Sequence, residues 1–237
     1  MDKNRVGQHI SAEFNQELTV IINRVLLMGG LVEQQIKDAL EALNDANKQL
    51  GAVVVTTDYK INALEVAIDE ECMQVIVRRQ PAASDLRLIV TVIKVITDLE
   101  RIGDEAEAIG QVALARNATD DSVYVNLITM GRYVRQMVRN ALDAFARTDL
   151  ELALEVARDE EIVDREYESI LRQLITYMME DPRNISGTIN LMWAARSLER
   201  IADHARNIAE YIIFLVKGRD VRHLSLEQME KAARGGQ

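Results

Sequence analysis

The sequence repeats itself. Met28, Val32, Ala39, Leu40 and Ala42 recur as Met130, Val134, Ala141, Leu142 and Ala144, at a constant spacing of 102. Pro81 is then answered by Pro182, and Leu99-Glu-Arg-Ile-Gly-Asp104 by Leu198-Glu-Arg-Ile-Ala-Asp203 at a spacing of 99, so three residues were lost between. Chance similarity between helical segments explains scattered Ala and Leu identities. It does not explain five identities in six positions that include two acids and an arginine. A duplicated unit restricts the fold severely, because whatever one half builds the other must build again.

Each half reads as helix. Apolar residues recur at three- and four-residue spacing almost throughout, as in the stripe Leu88, Val92, Val95, Leu99, Ile102, Ala106, Ile109 and Ala113. Two prolines, eleven glycines and 4% aromatics leave little to build turns or strand pairs. Breaks fall at Gly51 and at residues 81–85, 117–122, 148–149 and 181–184, which predicts six long helices. Helices of that length need side-by-side support, so the expected fold is all-α, as two tandem three-helix bundles. The bundles span residues 1–117 and 118–218. Residues 219–237 form a tail in which Ser225-Leu-Glu-Gln228 has capping-box spacing and could open a short helix.

The net charge of -10 argues against nucleic acid as a ligand, since phosphate binding draws on a basic surface. Cations and basic partner surfaces are the natural counter-ligands. Cys72 is the only cysteine, so neither an internal disulfide nor a cysteine metal site can form, which fits a reducing compartment. The N-terminus lacks a signal-like apolar stretch, and no run reaches the ~18 apolar residues of a membrane span. The expectation is a soluble, cytoplasmic chain with no direct membrane insertion.

Chemistry concentrates on the repeated motif. Ile89, Ile93 and Ile96 mark an apolar stripe that continues at helical spacing into Glu100, Gly103, Asp104 and Glu107. Glu100 and Asp104 are four apart, so both carboxylates project from one face about a turn from each other. Gly103 leaves room beside them. Glu199 and Asp203 repeat the pair, with Ala202 as the small neighbour. Glu160 and Asp164 form another pair on the fifth helix, and the repeat spacing places Asp58 and Asn62 at the equivalent positions. Acidic pairs of this spacing often line nothing more than a solvated helix face. Recurrence in both halves, on a stripe otherwise apolar, favours a site for hard cations that take oxygen ligands: Mg²⁺, Mn²⁺ or Ca²⁺, with iron and zinc also compatible.

The strings DLERIGDEAEAIG, SLERIADHARNIAE, VEQQIKDALEAL and RRQPAASDLRLI resemble those of the PhoU family of phosphate-transport accessory proteins. The similarity extends over nearly the whole chain. It implies a negative regulator of phosphate uptake and phosphate-regulon signalling, a homodimer in the cytoplasm. Its implied partners are a sensor histidine kinase and the ATPase subunit of a phosphate ABC transporter, through which it could lie at the inner membrane. It further implies metal binding through E(D)xxxD motifs, here Glu100/Asp104, Glu160/Asp164 and Glu199/Asp203, with Asp58/Asn62 as the fourth. Asn62 departs from the pattern, because an amide supplies an oxygen but no charge. Asn207, a turn beyond Asp203, could add an oxygen where its counterpart Ala108 cannot. The second cluster is therefore expected to be the stronger.

Rival readings rest on less. A carboxylate-bridged di-metal enzyme of the ferritin kind would use Glu-x-x-His, which is absent. His204 is expected to point to the bundle side or to solvent. No nucleophile motif or Gly-rich phosphate loop occurs, so the chain is read as non-enzymatic. Arg101 and Arg200, beside the acids, either make ion pairs within their helices or contact an anion or a partner. A metal-free helical scaffold, whose acidic stripes only attract basic surfaces, is the remaining alternative.

Overall fold

A computed structural model describes residues 3–116 and 122–235. The first bundle comprises α1 (Lys3–Asn44), α2 (Lys48–Thr57), α3 (Tyr59–Arg79) and α4 (Ala83–Ala115). The second comprises α5 (Ser122–Arg147), α6 (Leu150–Glu180) and α7 (Ile185–Lys217), followed by α8 (Leu226–Arg234). The fold is the expected pair of tandem three-helix bundles, with three departures from six plain helices.

The first departure is at Gly51, read as a break. The chain turns earlier, at residues 45–47, where Ala46 is left-handed at φ 50 and the Asn47 side chain accepts from the Leu50 amide. The other half does the same 102 residues on, with Thr148 at φ 52 and Asp149 accepting from the Glu151 and Leu152 amides. Gly51 lies inside α2 as a contact residue: a Cβ on it would stand 3.2 Å from the Gly110 carbonyl of α4. It marks a close helix crossing.

The second departure is a turn at Asp58 that divides α2 from α3. The Thr56 and Thr57 hydroxyls bond back to the Ala52 and Val53 carbonyls one turn behind, a habit that bends helices. The equivalent stretch of α6 lacks those threonines and runs unbroken. The third is the tail, where Ser225 and Gln228 form a complete capping box. Met229 of α8 is fully buried, and Arg158 of α6 bonds Glu230. The expected break at 117–122 falls largely on residues 117–121, outside the described residues; α4 ends at Ala115 and α5 begins at Ser122.

The two bundles share one continuous apolar core, reaching from Leu18 and Ile21 to Ile212 and Ile213. Where the bundles meet, equivalent helices meet equivalent helices: α4 packs on α7, and α1 on α5. The relation extends to single residues. A Cβ on Gly29 would collide with Leu142, and a Cβ on Gly131 would collide with Leu40. Gly29 and Gly131 are repeat partners, as are Leu40 and Leu142, so the seam has the self-complementary form of a two-fold interface within one chain. Among the described residues, no helix is long and apolar enough to cross a membrane.

Candidate metal centres

The first cluster sits where the Asp58 turn meets α4. Carboxylate oxygens of Asp58, Asp104 and Glu107 lie within 4.8 Å of one another. Asp58 is buried and held from two sides: Gln35 of α1 donates to Oδ1 at 3.0 Å and Asn62 donates to Oδ2 at 3.0 Å. Gly103 earns its place here, since a Cβ would stand 3.1 Å from Asp58 Oδ1 and 3.3 Å from Gln35 Oε1. The Gln35 side chain, 6% exposed, directs one end to Asp58 while its Oε1 has no hydrogen-bond partner; Asn62 Oδ1 is likewise buried without one. Two oxygens beside three carboxylates are thus left for a ligand that accepts lone pairs.

Glu100 is at the margin of this group. Burial, then the charge of Asp104, raises its pKa. Burial, then Asp58, does the same to Asp104. Glu107 was missing from the expected ligand set although it continues the acidic stripe. Its repeat counterpart is Arg206, so a search for acids retained in both halves passes over it.

The second cluster joins α6 to α7. Oxygens of Glu160, Asp164 and Asp203 lie within 4.8 Å of one another. Glu160 is buried in the middle of α6, and Arg206 Nη1 donates to its Oε2 at 2.6 Å. Burial nonetheless pushes the Glu160 pKa up in spite of that guanidinium. Burial also raises Glu199 and Asp203, helped in each case by a neighbouring carboxylate. Glu199 takes a 2.5 Å hydrogen bond from Arg196, while its Oε2 is buried without a partner. Glu199 is therefore beside the group rather than in it.

Asn207 lines the same cleft as Glu160 and Asp203. Its amide donates to Asp98 of α4 at 3.0 Å, across the seam between bundles. His204 is turned the same way, its Nδ1 2.7 Å from the same Asp98 oxygen, buried on the bundle side and away from solvent. Arg200, left open by the sequence, reaches Glu105 of α4 at 3.0 Å. The residues that follow Glu199 and Asp203 thus tie the second cluster to the helix that carries the first.

Two copies of a helical bundle, each with a carboxylate cluster where its middle segment meets its last long helix, define a tandem-bundle protein with paired acidic sites. The PhoU domain family matches this chain twice, at residues 25–113 and 127–212. The chain belongs to the PhoU family. It is 52% identical over 233 residues to the phosphate-specific transport system accessory protein PhoU homolog of Pseudomonas aeruginosa, covering 98% of this chain and 96% of that one. Against the Escherichia coli K12 accessory protein PhoU the identity is 44% over 236 residues, with 99% and 98% covered. The crystal structure of PhoU from Pseudomonas aeruginosa superposes with a TM-score of 0.84 at 53% identity, over 87% of this chain and all of that one. PhoU from Streptococcus pneumoniae, described as a phosphate transport system regulatory protein, gives 0.82 at 27% identity, over 88% and 99%.

Proposed function

We propose that this chain is a cytoplasmic, non-enzymatic negative regulator of phosphate uptake and phosphate-regulon signalling. It works by protein contact with the ATPase subunit of a phosphate ABC transporter and with a sensor histidine kinase. The relatives' shared name, phosphate-specific transport system accessory protein, supports the setting. The observation that carries the metal part is the buried, unpartnered oxygen beside each acidic group: Gln35 Oε1 in one bundle and Glu199 Oε2 in the other.

An all-oxygen donor set fits Mg²⁺ or Mn²⁺ and is compatible with iron or zinc. Asp58, Asp104 and Glu107, backed by Glu100 and Asn62, would hold ions in the first bundle. Glu160, Asp164 and Asp203, backed by Glu199, would do so in the second. A bound cation supplies positive charge that would relieve the mutual repulsion of these carboxylates, of which Asp58 and Glu160 are buried. The chain's own residues do the rest, orienting the oxygens through Gln35, Asn62, Arg196 and Arg206.

Protein contact is supported by matching apolar surfaces at the far end of each helix hairpin. Met73, Val77 and Leu86 are exposed in the first bundle, and their repeat counterparts Ile175, Met179 and Ile185 in the second, where Ile189 and the 65% exposed Trp193 extend the ridge. Such apolar side chains, grouped and repeated, mark interaction surfaces. The same surfaces, or others, would serve the homodimer.

The test is genetic. Deleting the gene in its host and assaying alkaline phosphatase in phosphate-replete medium should give high, derepressed activity. Full repression in the deletion strain removes the regulatory role.

A further inference from the structure

The repeat places Arg206 of the second bundle where the first bundle has Glu107, 99 residues earlier. Few substitutions alter a cation site more. In the first cluster Glu107 is one of the three grouped carboxylates, and its other polar contact is a hydrogen bond from Gln111 at 3.2 Å. In the second, Arg206 puts a guanidinium into the same space, bonding Glu160 Oε2 at 2.6 Å and Glu210 Oε1 at 3.3 Å. Arg196 holds Glu199 as well. Of the four acids around the second cluster, two therefore already have an arginine. Among the described residues, none of Asp58, Glu100, Asp104 and Glu107 has an arginine bonded to it.

From this asymmetry we infer that Arg206 is a resident counter-cation that sets the two clusters apart, leaving the first bundle as the tighter metal site and the second as a weaker one already balanced by protein. The order is opposite to the one that Asn62 and Asn207 suggested. Asn62 costs the first cluster one charge, but its oxygen stays buried and available, and Glu107 restores the charge. Asn207 gives an amide N–H to Asp98. The second cluster, meanwhile, acquires a guanidinium. A bound ion there must share Glu160 with Arg206 or displace it, and sharing a carboxylate with a fixed positive charge weakens binding.

This inference rests on the proposal that the clusters bind metal, and one titration separates the two. Mn²⁺ is added to the full chain, stripped beforehand with chelator, and free ion is followed by its electron paramagnetic resonance signal. The wild type should show two classes of site differing by about tenfold or more in affinity. Asp104→Asn with Glu107→Gln should abolish the tighter class, and Asp203→Asn the weaker. Arg206→Glu, which restores the acid found in the first bundle, should tighten the weaker class by about tenfold. Glu107→Arg, the reciprocal change, should weaken the tighter class, so a misfolded Arg206 variant, recognised by its circular dichroism, does not end the test. The inference is overturned if Asp203→Asn removes the tighter class, or if both exchanges leave affinities unchanged. If wild type and variants alike retain no Mn²⁺, the metal-binding proposal falls and the inference with it.

Discussion

Gly103 of α4 faces Asp58 of the α2–α3 turn with no side chain between them; a Cβ there would stand 3.1 Å from the Asp58 carboxylate. Gly103→Val should push Asp58 and Gln35 aside, lower stability by about 1–3 kcal/mol in urea denaturation and abolish tight Mn²⁺ binding. Gly103→Ala is the finer probe. Its gain in helix propensity, about 1 kcal/mol, offsets the crowding, so stability should hold while affinity falls. Undiminished Mn²⁺ affinity in the valine variant would mean that Asp58 is no ligand.

Asp98 is the buried acid on which His204 and Asn207 both depend. Asp98→Ala leaves the buried His204 and the partly buried Asn207 without their acceptor at the seam between bundles. It should cost about 2–4 kcal/mol in chemical denaturation. Asp98→Asn keeps one acceptor oxygen and should cost less. Equal losses in the two variants would indicate that packing, and not the shared acceptor, holds this part of the seam.

The raised pKa values of Glu160, Glu199 and Asp203 give stability a sign that can be checked. Burial holds all three above their ordinary values of 4.5 and 3.8, so the folded chain favours their protonated forms. Their contribution to stability is full below those ordinary values and is lost as pH rises through the folded ones. With chelator present, the melting temperature should therefore be higher near pH 5 than near pH 7. Groups with depressed values, such as Asp220 at about 2, act only in stronger acid. Millimolar Mn²⁺ should raise the melting temperature more at the higher pH, because the ligands must be deprotonated to bind. A stabilisation by Mn²⁺ that is the same at both pH values would exclude these carboxylates as its site.

Much of the fold was legible because long amphipathic helices write their packing face at regular spacing, and because the chain states its design twice. The repeat also held information left unread. Carried back by 102, the break at Thr148 and Asp149 points to Ala46 and Asn47, where the chain does turn; Gly51 drew attention only because glycine is a helix breaker in isolation, and here it serves a helix crossing. The site was less legible. Spacing along one helix identified Glu160, Asp164 and Asp203, but which side chain completes a cluster depends on neighbouring helices. Glu107 was passed over because its counterpart is an arginine. Asn207 and His204 were assigned no partner in the other half, and Asp98, which claims both, lies more than 100 residues away.

The reciprocal fit of Gly29 with Leu142 and Gly131 with Leu40 bears on how such a chain arose. A half-length ancestor with this glycine and this leucine would have carried both the knob and the hole, and two molecules of it would have satisfied each other. Its assembly would have depended on how much of it the cell made. Joining the copies end to end abolished that dependence, because a tethered partner is always present at high effective concentration. The tether also freed the copies to diverge, so that one position could become an acid in one half and an arginine in the other, which a true homodimer encoded by a single short gene could never do.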